Sequence, residues 1–148
     1  MIPHKDGWAQ MGDMNNYLLT SQEFLDLGQG DHEEHAILLC NFFLWIDEKQ
    51  GRGERIECGL AYGESPEGKM TYTFRRDKDE GHIELWAPVS GICFHFEVRK
   101  QSNCCCDGPN FLYVRPHDPI CQLKKLHCIV TPTNIYANKQ KHDSPIML

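Results

Sequence analysis

Residues 30–46, GDHEEHAILLCNFFLWI, constrain the fold more than any other stretch of this 148-residue chain. Asp31 is a good helix N-cap and Glu34 stands three residues on, so the pair forms a capping box with Asp in place of the usual Ser or Thr. The helix therefore starts near His32. From Ala36 to Ile46 only Asn41 is polar, and a helix that is apolar on every side has to be surrounded by other structure. The pattern predicts a buried central helix. A thiol in the first turn of such a helix has its pKa lowered by the dipole and the unpaired amides. Here that turn holds Asp31, His32, Glu33, Glu34 and His35 instead.

The chain has the length of one domain, 1–148, and can bury a core without staples. Residues 1–19 show no clear period and read as a poorly defined lead-in. Thr20 with Glu23 makes a second capping box before EFLDL, which stops at Gly28, so a short helix precedes the central one. After Ile46 the run DEKQGRGE reads as a polar turn. Four apolar or alternating segments follow, IECGLAY, MTYTFRR, HIELWA and ICFHFEV, separated by Gly, Pro and Asp. They read as strands of one antiparallel sheet, neighbours in sequence being neighbours in the sheet, with turn chemistry at 63–68 and 88–91. Residues 99–119 are loop-rich apart from FLYV, LHCIV at 126–130 reads as a last strand, and a Pro-limited segment TPTNIYANKQ follows. The fold class is α+β, a helix packed on an antiparallel sheet. Trp45 and Trp86, with Phe42, Phe43, Phe94 and Phe96, fall on the buried helix or on alternating strand positions and are assigned to the core.

Charge and leader signals exclude several functions. Acids outnumber bases, 21 to 15, for a net charge of -6, and no cluster of five Lys or Arg occurs, so nucleic acid is not an expected partner. The first twenty residues lack a secretory apolar core, and the apolar run 36–46 falls well short of the roughly 20 residues that span a bilayer. The expectation is an intracellular, soluble chain with no transmembrane segment.

Eight cysteines invite a disulfide or metal reading, but no C-x-x-C pair exists. Cys104 and Cys106 with His127 and Cys128 are a conceivable zinc set, and a small zinc-binding module is one reading of the chain. The preferred one makes Cys40, Cys58, Cys93 and Cys128 small buried hydrophobes and places Cys104, Cys105 and Cys106 in a loop. His32 and His35 with Glu33 or Glu34 stand close enough for a metal but lack the H-x-x-x-H spacing, and a solvated helix start is preferred. No cofactor is expected.

FLDL at 24–27, GDHEEHAILLCNFF at 30–43, PEG at 66–68, LWAPVSG at 85–91 and CIVTPTNIYANKQ followed by SP at 144–145 together resemble the coiled-coil and C2 domain-containing protein 2 family of the ciliary transition zone. The stretch 95–125, with its CCC, carries no match and reads as a possible insertion. The resemblance implies a transglutaminase-like (papain-like) core. In that pattern a Cys opens the helix, a His lies on the next paired strand and an Asp or Asn precedes Pro. The corresponding positions here hold His32, Tyr72 or Thr73, and Ala87. A thiolate, a base and a group that orients the base are needed together, so the expected function is that of a catalytically inactive module. It would serve as a scaffold for other transition-zone proteins at the ciliary base, in cilium assembly. A vestigial cleft is expected around Asp31, His32, His35, Tyr72 and Ala87. The competing enzyme reading is a thiol hydrolase or transferase with a rebuilt site, using Cys40 with His35, His82 or His95 as base. It is disfavoured because Cys40 lies two turns into the helix, where apolar surroundings raise a thiol pKa.

Overall fold

The computed structural model describes residues 19–99, 111–114 and 119–139. Helix α1 (Ser21–Leu27) is capped by Thr20 and Glu23 reciprocally and ends at Gly28, whose left-handed φ of 65° suits a residue without a Cβ. Helix α2 (His32–Lys49) follows. Its start is closed by its own side chains: the Asp31 carboxylate accepts from the amides of Glu33 (3.0 Å) and Glu34 (3.3 Å), and the Glu34 carboxylate accepts from the Asp31 amide at 2.8 Å. Both expected capping boxes are present.

Seven strands follow among the described residues: β1 (Ile56–Ser65), β2 (Gly68–Asp77), β3 (His82–Trp86), β4 (Cys93–Arg99), β5 (Phe111–Val114), β6 (Lys125–Val130) and β7 (Ile135–Ala137). They form one antiparallel sheet in the order β5-β4-β3-β2-β1-β6-β7. Sequential pairing holds from β1 to β5, and β6 then returns to the other edge of β1. LHCIV is therefore not the last strand. IYA at 135–137 pairs with β6, a strand too short, and too close to Pro132, for alternation to reveal it. Apart from β5, most of the loop-rich stretch 99–119 lies outside the described residues, as does most of the lead-in.

Directly paired residues share a face, and the two faces of this sheet do different work. On one, Cys58, Thr73, Arg75 and Trp86 meet α2: Cys40 Sγ lies 3.6 Å from Cys58 Sγ, Thr73 Oγ1 donates to the Ala36 carbonyl at 2.9 Å, Arg75 pairs with Asp47, and the rings of Phe43 and Trp86 stand 5.3 Å apart. On the other, Ala61, Tyr72, Phe74, Leu85, Phe94 and Phe96 form the buried core with Leu123 and Leu126. Each such large apolar side chain contributes about 1.5–3 kcal/mol by leaving water.

The expectation that α2 is enclosed on every side is overturned. Ala36, Cys40, Phe43 and Asp47, spaced by four, three and four, face the sheet, while Phe42 and Trp45 are 52% and 58% exposed and Asn41 is exposed too. Phe42 and Trp45 are therefore not core residues, whereas Phe94 and Phe96 are, and Phe43 and Trp86 are half-buried. The helix is apolar all round but covered on one side. Asp47, read from sequence as the start of a polar turn, lies within α2 and is only 2% exposed, because Arg75 and Arg52 compensate its charge.

Candidate functional site

The start of α2 meets the sheet at a cleft of about 510 Å³ lined by His32, Tyr72, Ala87, Pro88, Phe94 and Ile120 among others. Three of the five residues expected at such a junction, His32, Tyr72 and Ala87, line this one space. His32 comes from the first turn of α2, Tyr72 from the core face of β2, and Ala87 from the turn after β3. That turn is closed by the bond from the Gly91 amide to the Ala87 carbonyl, 2.8 Å. The other two do not line the cleft. Asp31 is spent as the helix cap, and His35 Nδ1 donates to the Asp31 carbonyl at 2.6 Å while its ring packs edge-on against Phe24 at 4.8 Å.

Burial pushes the Tyr72 phenol up to about 12. It stays protonated at any physiological pH, so it offers the cleft a hydroxyl rather than a base. The amides at the helix start are occupied by Asp31, and the charge stored there is negative. Burial pushes Asp31 up, but the bonds from Glu34 and Glu33 outweigh it and leave its carboxyl below the ordinary value. Desolvation, then the bond to Asp31 and its charge, push Glu33 up to about 7; Glu34 is raised by the same causes.

A pH dependence follows. Glu33 ionises near 4.5 when unfolded and near 7 when folded, so between those values the folded chain holds more protons, and stability falls as pH rises from about 4.5 to about 7. Above that it levels. Glu33→Gln should flatten this slope, leaving the part that Glu34 contributes, and be the more stable form at pH 8 by about 1 kcal/mol, a value discounted for partial exposure. Urea midpoints at pH 5 and pH 8 for both proteins measure it. A wild-type midpoint unchanged or higher at pH 8 contradicts it.

Cys40 and Cys58 are both buried, and the bond between them makes them unlike. The hydrogen bond shared with Cys58 lowers the Cys40 thiol, opposed by burial, while Cys58 is driven far above the ordinary thiol range by the same bond and by burial. The expectation that burial raises the Cys40 pKa is thus reversed by one neighbour. The histidines named as its base stand elsewhere. His35 is engaged at the helix start. Across the helix-facing side of the sheet the paired row runs Cys58, Arg75, Glu84, His95, so Arg75 and Glu84 separate His95 from the Cys58 to which Cys40 is bonded. His95 instead has Cys93 Sγ at 4.0 Å and His82 Nε2 at 3.2 Å.

Among the described residues the one convergent set of metal-type ligands is His82, Glu84 and His95, not His32, His35 and the glutamates beside them. Alternate polar positions in HIELW and CFHFEV were the available signal, but strand register, which brings them together, is not written in either segment. Of the conceivable set Cys104, Cys106, His127 and Cys128, the first two lie outside the described residues. His127 Nε2 is 3.3 Å from the Glu64 carboxylate.

A helix capped onto an antiparallel sheet, with a cleft at the helix start, is compatible with a peptidase-like core. The family model for the CEP76 peptidase-like domain matches residues 16–148, and the chain belongs to that family. It is 29% identical over 146 residues to human protein CC2D2B, covering 99% of this chain and 8% of that protein. It is 24% identical over 123 residues to coiled-coil and C2 domain-containing protein 2A of Drosophila melanogaster, covering 82% of this chain and 7% of that one. Both relatives bear out the resemblance read from the sequence. The chain spans less than a tenth of the length of these curated relatives. No solved structure matches it. Among the described residues no helix is long and apolar enough to cross a membrane.

Proposed function

We propose that residues 1–148 form a single, catalytically inactive transglutaminase-like (papain-like) domain that binds protein segments and serves as a scaffold piece at the ciliary transition zone. One observation carries the inactive part. The first turn of α2, where a thiol hydrolase of this plan holds its nucleophile, presents His32 to the cleft beside Tyr72 and Ala87, and its amides are taken by Asp31. The described lining of the cleft holds no cysteine. Without a thiolate, a base and a group to orient it, a cleft retains shape and binding but no acyl transfer. The exposed Phe42 and Trp45, one turn apart on α2, favour a second contact surface, since adjacent exposed aromatics mark interaction sites more often than monomer surface. The ciliary setting rests on the likeness to the coiled-coil and C2 domain-containing protein 2 family.

The thiol-enzyme reading has one observation in its favour, the 3.6 Å hydrogen-bonding contact between the Cys40 and Cys58 thiols. Against it, Cys40 is 6% exposed, and a nucleophile that a substrate does not reach performs no chemistry.

Alkylation of each of the eight cysteines at pH 6, followed peptide by peptide on the native protein, decides between the two. No cysteine should react faster than a model thiol. A single fast cysteine, Cys40 above all, would overturn the inactive reading. The binding half is read on the same protein by peptide display. Ligands should be lost on Ile120→Glu, at the exposed rim of the cleft, or on Phe42→Glu with Trp45→Glu; ligands indifferent to both would rule out these surfaces.

A further inference from the structure

On the face of the sheet that packs α2, opposite the core face from which Tyr72 and Phe94 line the cleft, β3 and β4 bring together side chains that the proposed function does not use. His82, Glu84 and Trp86 alternate along β3. Cys93, His95 and Glu97 alternate along β4, and the register sets His82 opposite Glu97, Glu84 opposite His95, and Trp86 opposite Cys93. All six are therefore on one face.

The donor atoms converge. His82 Nε2 and His95 Nδ1 are 3.2 Å apart with their rings stacked at 5.3 Å, Glu84 Oε1 is 3.8 Å from His82 Nε2, and one ligand atom from each of the three lies within 4.8 Å of the others. Ligands about 2.0–2.2 Å from a tetrahedral zinc ion stand about 3.3–3.5 Å from one another, so the first two separations bracket the required edge. Cys93 Sγ is 4.0 Å from His95 Nδ1 but lies outside the convergent set, so it is not one of the ligands.

The carboxylate is also held for this task. Glu84 Oε2 accepts from Trp86 Nε1 at 3.1 Å and from Arg75 Nη1 at 2.9 Å, and Arg75 is itself fixed by the buried Asp47. The far oxygen is thus anchored by groups one layer out while Oε1 faces the histidines, the arrangement by which proteins orient metal-binding carboxylates. Arg75 carries its charge next to the site, but Asp47 offsets it. The ladder beneath is rigid, because Leu85, Phe94 and Phe96 between these residues point into the buried core.

We propose that His82, Glu84 and His95 form a site for a divalent ion of the zinc class, three protein ligands with a water completing the coordination, clamping β3 to β4. Two imidazole donors suit zinc and its neighbours rather than calcium or magnesium. Binding requires each ring to carry its proton on the nitrogen away from the ion, Nδ1 of His82 and Nε2 of His95.

The test uses the full chain, stripped with a chelator and titrated with zinc alone against a chromophoric competitor, then with cobalt(II) as a spectroscopic stand-in. The expected result is one ion per chain, a cobalt d–d spectrum that Cys93→Ser leaves unchanged, and affinity reduced at least a hundredfold in His82→Asn with His95→Gln. The variant with Cys104, Cys105 and Cys106 all changed to Ser should bind as the parent does. Circular dichroism checks that the histidine variant is folded. Histidine ring resonances of the parent, shifting for two rings on zinc addition, provide a readout that needs no variant. No stoichiometric zinc, or zinc retained by the histidine variant and lost with the cysteine triplet, overturns the proposal.

Discussion

Arg75→Ala is expected to destabilise the domain by about 3–5 kcal/mol, the cost of leaving a buried charge without its partner. Arg75 donates to the Asp47 carboxylate through Nε (3.2 Å) and Nη2 (2.8 and 2.9 Å), reaches Glu84 through Nη1, and lies 4.8 Å over the Phe43 ring. Burial alone would disfavour its charge, and Asp47 more than restores it. Removing Arg75 leaves Asp47, 2% exposed, with Arg52 alone, whose side chain is 43% exposed. Against a total of about 5–15 kcal/mol for a domain of ordinary stability, that is a large fraction. Asp47→Leu combined with Arg75→Leu removes both charges and should cost less than the single change, which no simple loss of packing would produce. Urea unfolding of the three proteins measures this. A single-variant loss below about 1 kcal/mol would show that the pair holds nothing together.

Gly63→Ala should cost about 2–4 kcal/mol, and the loss should be local to one edge of the sheet. A Cβ at Gly63 would meet the Lys125 carbonyl oxygen, which is backbone, and Leu123 Cδ1 at 2.6 Å. Neither the strand nor the core residue behind it has room to retreat. The register between β1 and β6 already shifts between Tyr62 and Gly63, so β6 depends on this close approach to regain its pairing. Amide exchange should therefore quicken in β6 and β7 before it quickens in β2 to β4. Gly53→Ala, where a Cβ would come no closer than 3.7 Å to its neighbours, serves as the near-neutral control. Equal stabilities for the two alanine variants would mean that β6 can slide without loss.

Both predictions turn on features that no local pattern announces. Asp47 sits in DEKQGRGE, a run whose composition reads as a solvated turn, and only the sheet beneath α2 supplies the arginine that makes its burial tolerable. Gly63 reads as the first residue of a turn. It lies instead inside a ten-residue strand, and the turn proper is Pro66–Glu67, since Ser65 pairs with Gly68. The cleft was legible in part for a related reason. His32, Tyr72 and Ala87 were reachable by counting along a known plan, because helix start, paired strand and following turn keep their order in sequence. Asp31 and His35 were assigned to the same junction by proximity in sequence, yet Asp31 turns back onto the helix amides and His35 onto the Asp31 carbonyl and Phe24, so their atoms are consumed in closing the helix.

By itself, the sequence determined the local structure: both capping boxes, the two helices, five of the seven described strands in outline, and the sequential pairing from β1 to β4. These depend on contacts within a few residues and on alternation, which amino-acid order records directly. The tertiary structure alone decided which side of α2 is covered, the return of β6 to the edge of β1, and the burial of Asp47. It likewise decided the meeting of His82, Glu84 and His95 across β3 and β4. Each depends on strand register and on which elements face each other, and those are fixed by the packing of residues far apart in the chain.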